Sequence, residues 1–304
     1  MSSILTNTAA MTALNTLQQT NDMLETTQNR VSTGLRITTA TDNAAYWSIA
    51  TTMRSDNNAL STVKDALGLG AATIDVAYTA LESAREVVSE IKSKLVAARE
   101  PGVDRSKVQA EIGELQKQLT AIADSASFSG ENWLSVDSSA TGYSASKEIV
   151  SSFTRDTAGD VQVGKISIDT ATIKLIDATT TAGDKGLLDK VDATTSQSVT
   201  SIDISGATVT VVQIDQFITQ VDEAESAMIS AASDLGSAKN RVSIQQDFVT
   251  NLMDAIDRGV GQLVDADLTE ESSKLRALQA QQQLGIQSLS IANSNAQNIL
   301  ALFR

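Results

Sequence analysis

Leu60, Val63, Leu67, Gly70, Ile74, Ala77, Leu81, Ala84, Val88, Ile91, Leu95 and Ala98 follow one another at alternating steps of three and four. A helix turns once in about 3.6 residues, so this stepping lays all of them along one side, the seam by which helices pack lengthwise. Carried from Leu60 to Ala98, it requires a helix of roughly 58 Å, longer than an ordinary compact domain is wide. Only partners of comparable length can bury such a seam. Pro101-Gly102 stops the helix, since proline lacks the N–H that the next turn needs.

Such partners exist elsewhere in the chain. Asp104 is placed to cap a second helix with Val108, Ile112, Leu115, Leu119 and Ile122 on one face, which predicts an antiparallel hairpin. The same stepping runs through Ile214, Phe217, Val221, Ala224, Met228, Ala231, Leu235, Ala238, Val242, Gln245, Val249, Leu252, Ile256, Gly259 and Leu263, a third long helix. Between them, residues 141–212 change character: Thr, Ser, Val, Ile, Asp and Gly dominate. The stretches Val161–Ile168 and Ala207–Val212 alternate as strands do. The fold class expected is therefore mainly α, with long N- and C-terminal helices packed as a coiled-coil-like bundle and a small β-rich insertion in mid-chain.

The two ends keep the step but lose the charge. Near the start the seam reads Ala10, Leu14, Leu17, Asn21, Leu24, Gln28, Val31. Near the finish it reads Leu275, Leu278, Gln282, Gly285, Leu289, Ala292, Ala296, Ile299, Phe303. Before Arg30 the only charged side chains are Asp22 and Glu25, and after Arg276 the only one is Arg304. A helix pair standing alone in water carries charge on its outer flanks, so this near-absence points to burial on several sides, by neighbouring copies. A second stripe, Ala277, Leu284, Ile291 and Leu302, widens the apolar face beyond what one partner helix covers. The residues expected to carry assembly are Leu14, Leu17, Leu24, Leu275, Leu278, Leu284, Leu289, Ile291, Ile299, Leu302 and Phe303.

Composition removes most chemistry. With no His and no Cys the commonest general base, the thiol nucleophile and the usual zinc ligands are missing, and no catalytic residue is expected. Residues 141–212 offer only Asp, Lys, Ser and Thr in no recognisable spacing. Asp265, Asp267, Glu270 and Glu271 lack the glycine that a calcium loop of the EF-hand type requires, and they read as a helix cap; no metal and no cofactor are expected. A net charge of -14 disfavours nucleic acid and an anionic membrane surface as partners. No apolar run approaches the ~20 residues of a membrane-spanning helix, so no membrane insertion is expected. The N-terminus shows no basic segment followed by an apolar core and cleavage site, and export, if it occurs, is expected to use an uncleaved signal.

Asn29-Arg-Val-Ser-Thr-Gly-Leu-Arg-Ile37 followed by Thr41-Asp-Asn-Ala-Ala45 resembles the N-terminal signature of bacterial flagellins. Leu263-Val-Asp-Ala-Asp267, Gln281-Gln-Gln-Leu-Gly285 and the ending Asn298–Arg304 resemble their C-terminal helix. Phe128-Ser-Gly130 with Trp133-Leu134 falls where flagellins leave the helical hairpin for a β segment. The resemblance covers roughly the first 140 and the last 90 residues, in the family's order.

It implies an inner terminal helical domain from residues 1–42 and 264–304, a helical shell from 43–140 and 213–263, and a variable surface region at 141–212. Arg30, Gly34, Arg36, Asp42 and Asn43 would form the spoke between the first two, with a new helix capped near Asp42. It also implies a secreted, self-polymerising subunit of the extracellular flagellar filament, the propeller of swimming motility. Implied partners are further copies, other flagellins, hook-associated junction and cap proteins, and the type III export apparatus with its chaperone. Tyr46 and Trp47 replace small residues of the family, Asn43 replaces an Asp, and Leu81–Val87 keeps only the Arg85-Glu86 pair of a receptor motif, which implies weakened recognition by host immune receptors. The rival readings are a hook-filament junction protein, which shares coiled ends, and a secreted adhesin on a coiled-coil stalk, which would carry its head at one end.

Overall fold

The computed structural model describes residues 7–156, 158–179, 185–206 and 209–302, with side chains to residue 294. Five helices carry it: α1 Thr8–Thr33, α2 Ala44–Ala98, α3 Arg105–Ser125, α4 Val211–Val264 and α5 Leu268–Leu302. Six short strands lie between α3 and α4: β1 Ser127–Phe128, β2 Glu131–Asn132, β3 Ser135–Val136, β4 Ser146–Arg155, β5 Val161–Asp169 and β6 Ile176–Asp177. The chain divides into two compact units, Met1–Asn57 with Asp254–Arg304, and Asn58–Met253.

In the second unit the seam of α2 is the core. Leu67, Ile74, Leu81, Ala84, Val88, Ile91, Leu95 and Ala98 are fully buried. They face α4, where Ile214, Val221, Met228, Leu235 and Val242 are equally buried. The flanking ion pairs show the helices running antiparallel: Asp75 with Lys239 at 2.6 Å, Lys92 with Glu225 at 3.1 Å and with Asp222, Arg99 with Asp215 at 2.8 Å. The expected hairpin forms. Asp104 caps α3 by accepting from the Ser106 N–H at 3.1 Å, and Lys94 of α2 reaches Glu111 of α3 at 2.6 Å.

Where α3 ends, Asn132 fixes the change of direction. Its Nδ2 donates to the carbonyls of Ala123 at 2.7 Å and Asp124 at 3.2 Å in the last turn, and its Oδ1 accepts from Leu134 N and Ser135 N. Ser129 and Gly130 both take positive φ, 53° and 85°, as the tight turn between β1 and β2 requires. The strands form three separate two-stranded sheets: β1 with β2 antiparallel, β3 with β6 parallel, β4 with β5 antiparallel. The β4–β5 ribbon docks on α2 at Gly70, where a Cβ would stand 2.6 Å from Ile149 Cγ2.

The insertion is β-structured only in part. After β6 the described chain is irregular, with one 3-10 turn at Val199–Ser201, and it is held by side chains. Lys174 and Asp177, both buried, pair at 2.6 Å. Burial opposes the charge on Asp177, but the Lys174 ammonium and the N–H groups of Ser138 and Thr179 outweigh it and hold the carboxyl well below the usual range. Residues 199–204 and Val209 are tied to α3: Gln109 donates to the Ile202 carbonyl at 3.0 Å and accepts from Ile204 N at 2.9 Å, Gln116 donates to the Val199 and Ile202 carbonyls, and Arg105 donates to the Val209 carbonyl. The expected strand at Ala207–Val212 is not there. Residues 207 and 208 lie outside the described residues, Val209 and Thr210 are irregular, and Val211 opens α4. The reason is a reciprocal cap: Thr210 N donates to Gln213 Oε1 at 2.9 Å while Gln213 N donates to Thr210 Oγ1 at 3.3 Å, which starts a helix in a β-prone sequence.

Candidate assembly interface

In the first unit α1 and α5 run antiparallel. Asn7 Nδ2 donates to the Ala292 carbonyl at 3.0 Å, Gln282 Nε2 to Asn21 Oδ1 at 2.8 Å, and Arg30 Nη1 to Glu271 Oε1 at 3.1 Å. The seam on α5 is the one the sequence shows: Leu278 is buried and Leu275, Gln282, Gly285, Leu289 and Ala292 are half-buried. Gly285 lets Leu17 approach, since a Cβ there would stand 3.2 Å from Leu17 Cδ1.

On α1 the seam is displaced from the expected one. Leu17, Leu24 and Val31 are half-buried as expected, but Leu14 is 45% exposed, and Asn21 and Gln28 are exposed. Ala10, Ala13, Leu17, Thr20, Leu24, Thr27 and Val31 face α5, with Thr20 at 5% and Thr27 at 2% exposure. Threonine serves a seam when its hydroxyl is satisfied locally: Thr20 Oγ1 donates to the Thr16 carbonyl at 2.8 Å, leaving the methyl to pack. The row Ala13, Thr20, Thr27, seven residues apart and small throughout, is the signal that could have revealed it.

On the second stripe of α5, Leu284 is 63% and Ile291 61% exposed. Met11, Leu14 and Met23 of α1 are also exposed. Between the two helices runs an open groove of about 760 Å³, walled by Ala9, Ala13, Thr16, Met23, Leu284 and Gly285. The side chains of Ile299 and Leu302, and the whole of Phe303, lie outside the described residues.

The spoke is tied down at both ends. Gly34, at φ 72°, closes α1 in the left-handed conformation that glycine reaches without strain, and its N–H bonds to the Arg30 carbonyl. Arg36 N and Ile37 N donate to the Val264 carbonyl, Ala266 N to the Gly34 carbonyl, and the Arg36 guanidinium to the Leu263 carbonyl, joining the spoke to the α4–α5 turn. Ile37, Ala50, Val260 and Val264 form a small core beneath it, with Met53 and Ile256 against them.

Asp42 does not cap α2. Asn43 does, its Oδ1 accepting from Ala45 N and Tyr46 N at 3.1 Å and its carbonyl from Trp47 N. Asp42 instead turns back, accepting from Thr39 N and Thr38 N at 2.9 Å and from both hydroxyls. Those donors pull its carboxyl from 3.8 to about 2. Asp267 caps α5: the N–H groups of Glu270 and Thr269 hold its carboxyl below the usual range. Glu271 is committed to Arg30 and is 8% exposed.

Long helices with an internal seam and, at Leu284 and Ile291, a second exposed apolar stripe define a structural subunit of the kind that associates with copies of itself. The comparisons name the family. The profile of the bacterial flagellin N-terminal helical region matches residues 4–139 and that of the C-terminal helical region residues 218–303. The chain is 53% identical over 325 residues to flagellin C of Rhizobium meliloti strain 1021, 44% over 400 residues to flagellin A of the same strain, and 42% over 305 residues to a flagellin of Brucella melitensis, each match covering 100% of both chains. Among solved structures, a putative flagellar hook-associated protein from Vibrio parahaemolyticus is similar in fold, with TM-score 0.53 and 13% identity over 74% of this chain and 100% of that one. A Bacillus cereus flagellin matches with TM-score 0.40 and 19% identity over 64% of this chain and 94% of that one. The chain belongs to the bacterial flagellin family, and it is a structural subunit of the flagellar filament that drives swimming.

Proposed function

We propose that this chain polymerises through its paired ends: α1 and α5 pack within one copy along the buried seam, and the exposed stripe of Leu284 and Ile291, with Leu14, packs against neighbouring copies. The observation that carries this is the coexistence, on one helix, of a seam already covered at Leu278 and a second apolar stripe more than half exposed. In this reading residues 1–42 and 264–304 form the inner layer of the filament, 43–140 and 213–263 the shell around it, and 141–212 its outer surface. Export is uncleaved and through the type III apparatus with its chaperone. Junction and cap proteins close the two ends of the filament, and the residues that replace family positions at Asn43, Tyr46 and Trp47 weaken recognition by host receptors. The protein acts by shape and carries no catalytic activity.

The test is assembly of purified full-length chain seeded with filament fragments, read by negative-stain microscopy and sedimentation beside a chain lacking residues 1–30 and 278–304. Long filaments from the first and soluble monomers from the second are expected. Filaments from both would place the driving interface elsewhere. Full-length chain that binds fragment ends without elongating them would favour a junction protein.

A further inference from the structure

The head of α2 carries a surface that the α1–α5 pair does not use. Asn43–Met53 has no charged side chain in a chain where 20% of residues are charged. On it stand Tyr46 at 43%, Trp47 at 39% and Ile49 at 49% exposure, while Ala50 on the inner side is 1% exposed. Two adjacent exposed rings are costly in a chain with only 3% aromatic residues, and the other tryptophan, Trp133, is buried at 4%. Among the described residues no hydrogen bond uses Tyr46 Oη or Trp47 Nε1.

We propose that the Tyr46-Trp47 pair of one copy seats in the α1–α5 groove of another copy, a reading that rests on the filament assembly above. The groove fits this occupant in size and in chemistry. Its volume of about 760 Å³ admits two aromatic side chains, and its walls at Ala9 and Ala13 are small enough for flat rings to approach the helix backbone. No charged residue lines it, matching an uncharged helix head. The amides of Gln19 and Gln281 and the hydroxyl of Thr16 line the groove, supplying the acceptors that a phenol O–H and an indole N–H need once they leave water. The two surfaces are different patches of one chain, so their union is head-to-tail, the type of contact that repeats along an open helix when its rotation does not close into a ring, where a self-matching one would close as a dimer.

The chain has no cysteine, which makes a placed one an unambiguous reporter. Full-length copies carrying Thr16→Cys labelled with bimane, together with Trp47→Phe, are grown on seeds in an excess of unlabelled copies that carry either Trp47 or Trp47→Phe. Tryptophan quenches bimane on contact. A clearly deeper loss of bimane emission in filaments with Trp47 neighbours than with Trp47→Phe neighbours, which keep Tyr46, and no loss in either soluble mixture is the expected result. In a parallel assay Trp47→Ala raises the monomer concentration left at equilibrium about tenfold, as removal of a buried aromatic anchor does, while Trp47→Phe largely restores it. Filaments of equal brightness with both kinds of neighbour would overturn the proposal and leave the filament reading intact. Failure of every copy to form filaments would overturn both.

Discussion

The Asp42 carboxylate joins four groups of the spoke, the N–H and O–H of Thr38 and of Thr39, into one turn, and its titration gives that turn a defined pH range. Its folded-state value of about 2 lies below the ordinary 3.8, so the stabilisation it contributes is fully present above pH 4 or so and is lost as pH falls through about 2. Asp42→Asn should accelerate hydrogen exchange at the Thr38 and Thr39 amides at neutral pH, and the difference from wild type should vanish as the acid limb is descended. The sequence places a new helix cap near Asp42, and of the two neighbours there it is Asn43 that takes the role. An amide and a carboxylate side by side are equally able to accept from the first turn, and only the two threonines behind Asp42, offering N–H and O–H groups together, decide between them. The Arg30–Glu271 pair has no sequence signal at all, because its partners are 241 residues apart. Glu271 Oε2 is buried without a second partner, so Arg30→Met should cost about 2–4 kcal/mol by stranding the carboxylate. Adding Glu271→Leu should recover most of that, and denaturant unfolding of the two singles and the double completes the cycle.

At the scale of the helix, a repeat of three and four names a face only where the large apolar residues outnumber the alternatives. That condition holds on α2, on α4 and on α5 as far as Ala292, where the seams were legible residue by residue; Ala296, Ile299 and Phe303 of the expected α5 seam lie outside the described side chains. On α1 two interleaved rows compete: Leu14, Asn21 and Gln28 against Ala13, Thr20 and Thr27. The row with the larger leucine is turned outward, since two small threonines, Thr20 with its hydroxyl bonded to its own helix, and a small alanine let α1 and α5 approach more closely. Leu278 and Leu284 separate the two faces of α5 experimentally. Leu278→Ala, at a site 5% exposed, should destabilise the isolated chain by about 2–5 kcal/mol in thermal or urea unfolding. Leu284→Ala, at a site 63% exposed, should leave monomer unfolding within about 0.5 kcal/mol of wild type while raising the concentration needed for seeded growth. Equal losses of monomer stability from both would remove the distinction between inner seam and outer stripe.

For the chain as a whole, the order helix, β, helix was visible in composition, but not that the insertion belongs to the same compact unit as the long helices around it. Residues 58–253 form one unit, and within it the segment after β6 contributes core: Leu188 and Ile204 have no exposure, and Val199 and Ile202 have 1%. Its backbone is read by the amides of Gln109 and Gln116, which stand on α3 where a sequence pattern shows only polar surface. An irregular segment gives no period to count, so this attachment was not legible in advance. The ribbon tip is different. Val161 and Val163, across from Arg155 and Phe153, are about half exposed and pack under nothing else in the described chain. Two alterations of similar size should therefore diverge. Replacing Ile202 and Ile204 together by serine should lower the stability of the chain by about 4–8 kcal/mol, since each leaves a buried site without its packing and brings in a hydroxyl. Replacing Val161 and Val163 together by threonine should change it by less than about 1 kcal/mol. Thermal unfolding followed by circular dichroism at a helical wavelength reads both. Loss of helix at a lower temperature in the first variant alone would show that the insertion holds the helical shell together, whereas an unchanged melt there would make it an ornament on a shell that is stable by itself.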